Sequence, residues 1–279
     1  NSSATVSVTL SGFVGSEALA YTNSSSFNNK NVGTGKTVTV DSITLADGNN
    51  GGLASNYSIT PGQTTTANIT AKSLIISGII AASKTYNGST SATLDTSAIL
   101  YSGLIPGDIF DGSYTGAFSN ANVGTGKTVT ITSSYTGADV SNYSITNQTS
   151  TTADISAKAL IATASASNKT YNATNSASVT LTLSGLVGSE TLGSTNTSTF
   201  NNKNVGTGKT VTVNSITLAD GSGLAANYSI SSGQTTTANI IAKSLTVSGI
   251  TASNRTYDGS TNVTLTGTAV YSGLVSGDT

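Results

Sequence analysis

A chain of 279 residues with a net charge of −1 and only 8% charged side chains has no basic cluster to track a nucleic-acid backbone or an acidic membrane surface. With 0 Cys, 0 His, 0 Met and 0 Trp, thiol chemistry, disulfide staples and the usual zinc and haem sites are excluded together. No apolar run of about 20 residues marks a membrane-spanning helix, and alternating Thr, Val and Ile argue for folded β-structure rather than disorder.

Residues 4–10 alternate strictly and read as a strand with one buried face. A Ser-Gly turn follows at residues 11–17, with counterparts at 102–108, 184–190 and 272–278. Phe27 then precedes Asn31-Val-Gly-Thr-Gly-Lys-Thr-Val-Thr-Val40, a stretch that returns at residues 122–131 after Phe118 and at residues 204–213 after Phe200. The phenyl ring of Phe27 reads as a core anchor. An Ala-Asp-Gly turn at Asp47 and a variable loop lead to Asn56-Tyr-Ser-Ile59, repeated at Asn142 and Asn227. A Tyr at a strand entrance, its hydroxyl returned to backbone, is a corner device of β-sandwiches.

Near Lys72 the inward parity changes, from Ile69 and Ala71 to Leu74 and Ile76, and the same signature recurs at Lys158 and Lys243. A one-residue shift turns every side chain to the opposite face, so these points mark sheet changes without a linker. The domains are therefore expected at 1–72 (partial), 73–158, 159–243 and 244–279 (partial). Near the start of the second, third and fourth units stand Lys84-Thr-Tyr-Asn-Gly88 and its equivalents at Lys169 and Arg255, a strong hairpin signal. Ala173 replaces the glycine in the third copy and predicts a different turn type there. Residues 27–47 and 200–220 differ only at Asp41 versus Asn214, whereas residues 118–139 diverge, so the units alternate as A-B-A-B. Asn1 and Thr279 both fall inside repeats, and the chain is expected to be a window from a longer repetitive protein.

The motif Gly-Thr-Gly-Lys-Thr invites comparison with a phosphate loop. That loop needs a Gly five residues ahead of its Gly-Lys glycine, where this chain has Lys30, Ala121 and Lys203, and it needs a helix afterwards. A strand pattern follows instead, so the glycines read as a tight turn. Scattered acids offer one or two carboxylates per loop: Glu17, Asp108, Glu190 and Asp278 at one turn, Asp47, Asp139 and Asp220 at another. No catalytic, cofactor-binding or metal-ligand set is assigned; a calcium site at a domain junction, pooling ligands from the loops of two domains, stays open. Lys36, Lys127 and Lys209 share inward parity with their strands, which suits amines reaching back to water or, more sharply, a Lys–Asn crosslink. Tyr101, Tyr114, Tyr135 and Tyr271 lack counterparts in the A units and read as cross-strand packing or as contacts to glycans or other cells. Asn-Tyr-Ser also matches a glycosylation acceptor.

Taken together, Lys/Arg-Thr-Tyr-Asn/Asp-Gly, Ser-Gly-Leu-x-x-Gly-Asp, Asn-Val-Gly-Thr-Gly-Lys-Thr-Val and Asn-Tyr-Ser-Ile resemble the YDG-type repeat of large bacterial surface adhesins, including filamentous-haemagglutinin-like exoproteins. The resemblance covers essentially the whole chain and departs from the pattern at Asn87, Asn172 and Ala173. It implies a secreted, cell-surface, non-catalytic protein. The expected architecture is all-β: a tandem array of Ig-like sandwich domains of about 85 residues forming an elongated rod, or another small fold such as β-grasp-like units. Its expected role is a stalk or fibre segment supporting adhesion or biofilm, with neighbouring repeats or identical subunits as partners. Residues 244–279 carry early strands that residues 1–72 lack, which admits filament assembly by strand complementation.

Overall fold

The computed structural model describes residues 2–278 and is all-β. Among the described residues the only helical pieces are three-residue 3₁₀ turns, Ala54–Asn56, Val140–Asn142 and Ala225–Asn227, each directly ahead of the Tyr of Asn-Tyr-Ser-Ile. No described helix is long and apolar enough to cross a membrane, a statement that leaves strands aside. The chain divides into two compact units: Asn1–Ala82 with Ser91–Ser119 and Thr128–Thr152, and Ser83–Thr90 with Asn120–Lys127 and Ala153–Thr279.

In the first unit, the first repeat forms an antiparallel sheet in the order Ser3–Ala4, Ala20–Phe27, Gly33–Ala46, Thr64–Ile69. Val38 and Val40 are buried while Thr37 is exposed and Thr39 half-buried, the period-two pattern of a half-buried strand. The strand expected over residues 4–10 pairs only at Ser3–Ala4. Its counterpart in the third repeat, Val179–Ser184, is laddered to Ile161–Ala166, a strand with no equivalent among residues 1–72. Side chains substitute in part: the Tyr21 hydroxyl bonds both the N–H and the carbonyl of Val8, and Asn23 donates to the Val6 carbonyl.

The second repeat places Lys72–Ser77 between Leu100–Ser102, antiparallel, and Tyr143–Thr146, parallel. Asp111–Phe118 runs against Gly124–Thr136 in antiparallel register, with Phe118 opposite Val129. Leu74, Ile76 and Ile79 meet Ile131 and Tyr143 in one buried core, so two groups of strands pack face to face in a sandwich-like arrangement. Burial of each Leu or Ile here contributes about 1.5–3 kcal/mol of transfer free energy. Phe110, Tyr101, Tyr114 and Tyr135 extend this core as half-buried rings.

The second unit repeats the plan. Its main sheet has the order Lys169–Thr170, Thr235–Ile241, Gly206–Asp220, Leu192–Phe200, and its core is Phe200, Val211, Ala238 and Ile240. Lys158–Ala159 pairs in parallel with Tyr228–Ser229, and Lys169–Thr170 with Ile240 and Ile241. The parity change is visible in burial: Ile155 is inward, and the next inward apolar side chains are Leu160 and Ala162, an odd step further on. In the fourth repeat, Thr246–Ser248 pairs with Val270–Ser272 and Thr251–Ala252 with Leu265–Thr266.

Candidate functional site: where one repeat meets the next

The repeated motifs combine local tasks with tasks that are met in a neighbouring repeat. The glycine turn shows the local task. Gly35, Gly126 and Gly208 take φ of 60°, 57° and 59°, the left-handed region that suits glycine. Their N–H groups, which a phosphate reading would need free, donate instead to Asn68, Asp154 and Asn239 at 2.8, 2.7 and 2.8 Å. The following lysines are half-buried and donate to a carboxamide at the hairpin tip: Lys36 to Asn29, Lys127 to Asn120 at 2.7 Å and Lys209 to Asn202 at 2.5 Å. The sharper Lys–Asn reading thus finds each amine next to an Asn, as the donor of a hydrogen bond to its oxygen.

In the Lys-Thr-Tyr-Asn motif the lysine ties its own turn. Lys84 donates to Asn87 at 3.1 Å and to the Ser89 carbonyl at 2.6 Å; Lys169 donates to Asn172 at 3.0 Å and to the Thr174 carbonyl at 2.6 Å; Arg255 pairs with Asp258 at 3.0 Å. Burial pulls the Lys84 and Lys169 amines below their usual range. Ala173 does not change the turn as expected from sequence. It adopts φ 60°, close to the 76° of Gly88 and 75° of Gly259, because the lysine ties hold the same turn closed.

The tyrosine of Asn-Tyr-Ser-Ile is bound to the Ser-Gly turn of its own repeat. The hydroxyls of Tyr57, Tyr143 and Tyr228 accept the N–H of Val14, Ile105 and Val187 at 3.1, 3.0 and 2.9 Å. They donate to the turn's acid: Tyr57 to Glu17, Tyr143 to Asp108 at 2.6 Å and Tyr228 to Glu190 at 2.5 Å. The hydroxyl does return to backbone, but to a turn 38 to 43 residues upstream.

The same acid then receives the preceding repeat. In the second unit, the hydroxyl of Tyr86, from the second repeat, donates to Glu190 of the third at 2.6 Å. The rings of Tyr86 and Tyr228 meet edge to face, centroids 5.4 Å apart at 79°. Tyr171 of the third repeat likewise donates to Asp278 of the fourth at 3.0 Å. The Tyr228 and Tyr86 hydroxyls hold the Glu190 carboxyl below its usual range, and the Glu190 carboxylate, with burial, pushes the Tyr86 phenol up to about 12.

The Asn of Asn-Tyr-Ser-Ile makes the second link. Asn227 accepts the N–H of Val123 at 2.9 Å and donates to Asn122 at 3.1 Å. In the first unit Asn142 does the same with Val32 at 2.9 Å and Asn31 at 3.3 Å. At Asn142 and Asn227 the carboxamide of the Asn-Tyr-Ser acceptor pattern is therefore engaged, and Asn227 is only 2% exposed, whereas Asn56 is exposed. The first unit adds an ion pair: Lys30 of the first repeat lies 3.1 Å from Asp108 and 2.9 Å from Asp139 of the second. The Tyr143 hydroxyl and then Lys30 hold Asp108 below the usual carboxylate range; Lys30 and then the Ile109 N–H do so for Asp139.

Asp108 and Asp139, from two acid-bearing turns of the same repeat, converge on the Lys30 ammonium, which is not the pooling of acids from two domains expected for calcium. Among the described residues no group of three or more acidic side chains is arranged to hold a metal ion. Asp47 and Asp220 serve their own loops, accepting the N–H of Ala54 and Ala225 at 2.7 Å each. Tyr101 and Tyr135 pack on Phe110, Tyr114 packs on Tyr135, and the hydroxyls of Tyr101 and Tyr114 lie 3.2 Å apart, which is the cross-strand packing arrangement. Tyr271 sits largely exposed opposite Val247. Sequence reasoning missed Tyr86 and Tyr171 as donors to the next repeat; their recurrence in register with Glu190 and Asp278 was the available signal.

Comparison with curated proteins and with solved structures gives no match. The YDG domain model matches residues 1–67, 70–153, 156–238 and 241–279, and the chain belongs to the YDG domain family as four tandem repeats.

Proposed function

We propose that this chain is a structural stalk or fibre segment of a secreted bacterial surface adhesin, non-catalytic in itself, which carries a binding head and supports adhesion or biofilm formation. The observation behind this reading is that the recurring motif side chains are occupied in holding a turn or in joining one repeat to the next. Links of this kind, repeated at each step, give a quasi-one-dimensional array whose stability is a sum over repeats and neighbour contacts. Low charge with abundant hydroxyls suits such a segment, since few of its contacts depend on salt.

Electron microscopy of the natively isolated protein tests the proposal. Thin single rods with regular beads are expected. Compact particles would overturn it, and uniform fibres far longer than one chain would replace it with assembly between copies. A glycan-binding role for these repeats would require retention of the 279-residue chain on a glycan array.

A further inference from the structure

We infer that the hairpin tip of one repeat and the acidic turns of the next form a pairing code that dictates which repeat type follows which. This rests on reading the contacts above as what couples successive repeats. The tip residue just ahead of Asn-Val-Gly-Thr-Gly-Lys is Lys30, Ala121 and Lys203 in the first three repeats. The receiving residue just ahead of the 3₁₀ turn is Leu53, Asp139 and Leu224. A lysine tip thus belongs to the A type and an acidic receiver to the B type.

In the first unit the A tip meets the B receiver. The Lys30 ammonium bridges Asp108 and Asp139, whose side chains are only 11% and 9% exposed. Two carboxylates so poorly hydrated need that cation, because removing one partner of a desolvated ion pair strands the other charge. In the second unit the B tip is Ala121 and the A receiver is Leu224. Of the acids of those two turns, Glu190 is already satisfied by two phenolic hydroxyls, and Asp220 accepts the Ala225 N–H within its own loop. A B repeat following a B repeat would place an alanine against the Asp108–Asp139 pair and leave both carboxylates without a counter-charge. An A repeat following an A repeat would place a lysine at a receiver with leucine just ahead of the 3₁₀ turn and Asp220 turned to its own loop. The B-on-B mismatch strands two desolvated carboxylates, and the A-on-A mismatch loses the ion pair at a half-exposed lysine, so discrimination rests mainly on the acidic receiver. The partner fitted by each face is therefore a repeat of the opposite type.

The test uses the full 279-residue chain and amide hydrogen exchange at Val32, whose N–H is held by Asn142 across the first link. Lys30→Ala is expected to lower Val32 protection by roughly 10-fold or more, and Lys30→Arg to retain it. The double variant Lys30→Ala/Asp139→Leu reproduces the Ala–Leu composition of the second link and should recover protection to within about 3-fold of the parent. Val123, held by Asn227, reports whether a variant has unfolded globally. The reciprocal pair keeps the test open if Lys30 variants fail to fold. Leu224→Asp alone should lower Val123 protection by about 10-fold, and Ala121→Lys/Leu224→Asp should restore it. Additive losses in both double variants, or no loss in either single variant, would overturn the code while leaving the stalk reading to its own microscopy.

Discussion

The Tyr86 hydroxyl lies 2.6 Å from Oε1 of Glu190, 104 residues further along the chain, while Oε2 of the same carboxylate takes the Tyr228 hydroxyl at 2.5 Å. One carboxylate thereby closes a turn within its own repeat and receives the repeat before it. The hydrogen bond is separable from ring packing, since the two tyrosine rings also touch edge to face. Tyr86→Phe keeps the ring and removes one donor. It should destabilise the second unit by about 1.5 kcal/mol, read as a lowered urea midpoint. An unchanged midpoint would show that the ring contact alone carries the link.

The pH dependence follows from the same groups. Glu190, Asp108 and Asp139 all have folded pKa values below their ordinary ones of 4.5, 3.8 and 3.8. Stabilisation from a depressed carboxylate is present above its unfolded pKa and lost as pH falls through the folded one. The urea midpoint should stay level from neutral pH to about 5 and drop below about 4. Glu190→Gln should lower the plateau and flatten part of that acid limb. Tyr86 works in the opposite sense: its folded pKa is raised from 10.0 to about 12, so its contribution is complete below pH 10 and is lost as pH climbs to about 12.

Ala173 holds φ 60° where its counterparts are glycines. An L-residue in that region costs about 1–2 kcal/mol, and glycine returns about 0.4–1 of this through the freedom it adds to the unfolded chain. Ala173→Gly should therefore stabilise the third repeat by about 0.5–1 kcal/mol, measured as a higher thermal midpoint of the full chain. A lower midpoint would show that the turn is relaxed with alanine.

Phe200 is 1% exposed, whereas Phe27, at the same motif position in the first repeat, is only half-buried. Phe200→Ala should cost about 3–5 kcal/mol and Phe27→Ala clearly less, because the cavity term scales with how completely the ring is enclosed. Equal losses in denaturant unfolding would contradict the difference in burial.

Much of this was legible in the chain. Two-residue alternation specified strands, while Phe27, read as a core anchor, is only half-buried and its counterparts Phe118 and Phe200 are buried. Parity changes near Lys72 and Lys158 marked where buried faces switch, as Leu74 and Leu160 show. Recurrence of the four motifs identified the YDG domain. These features are local: side-chain period, turn chemistry and apolar pattern act over a few residues, so sequence by itself determined them.

Only the tertiary structure decided what the motifs do together. The parallel pairings of Tyr143–Thr146 with Lys72–Ser77 and of Lys158–Ala159 with Tyr228–Ser229 join segments some 70 residues apart. Lys30 reaches Asp139, and Tyr86 reaches Glu190, across more than a hundred residues. No periodicity announces such contacts. A hydroxyl, a carboxamide or a lysine at a turn has the same local preference whether it faces water or the next repeat. What distinguishes the two is desolvation, which exists only once the chain has closed around the group.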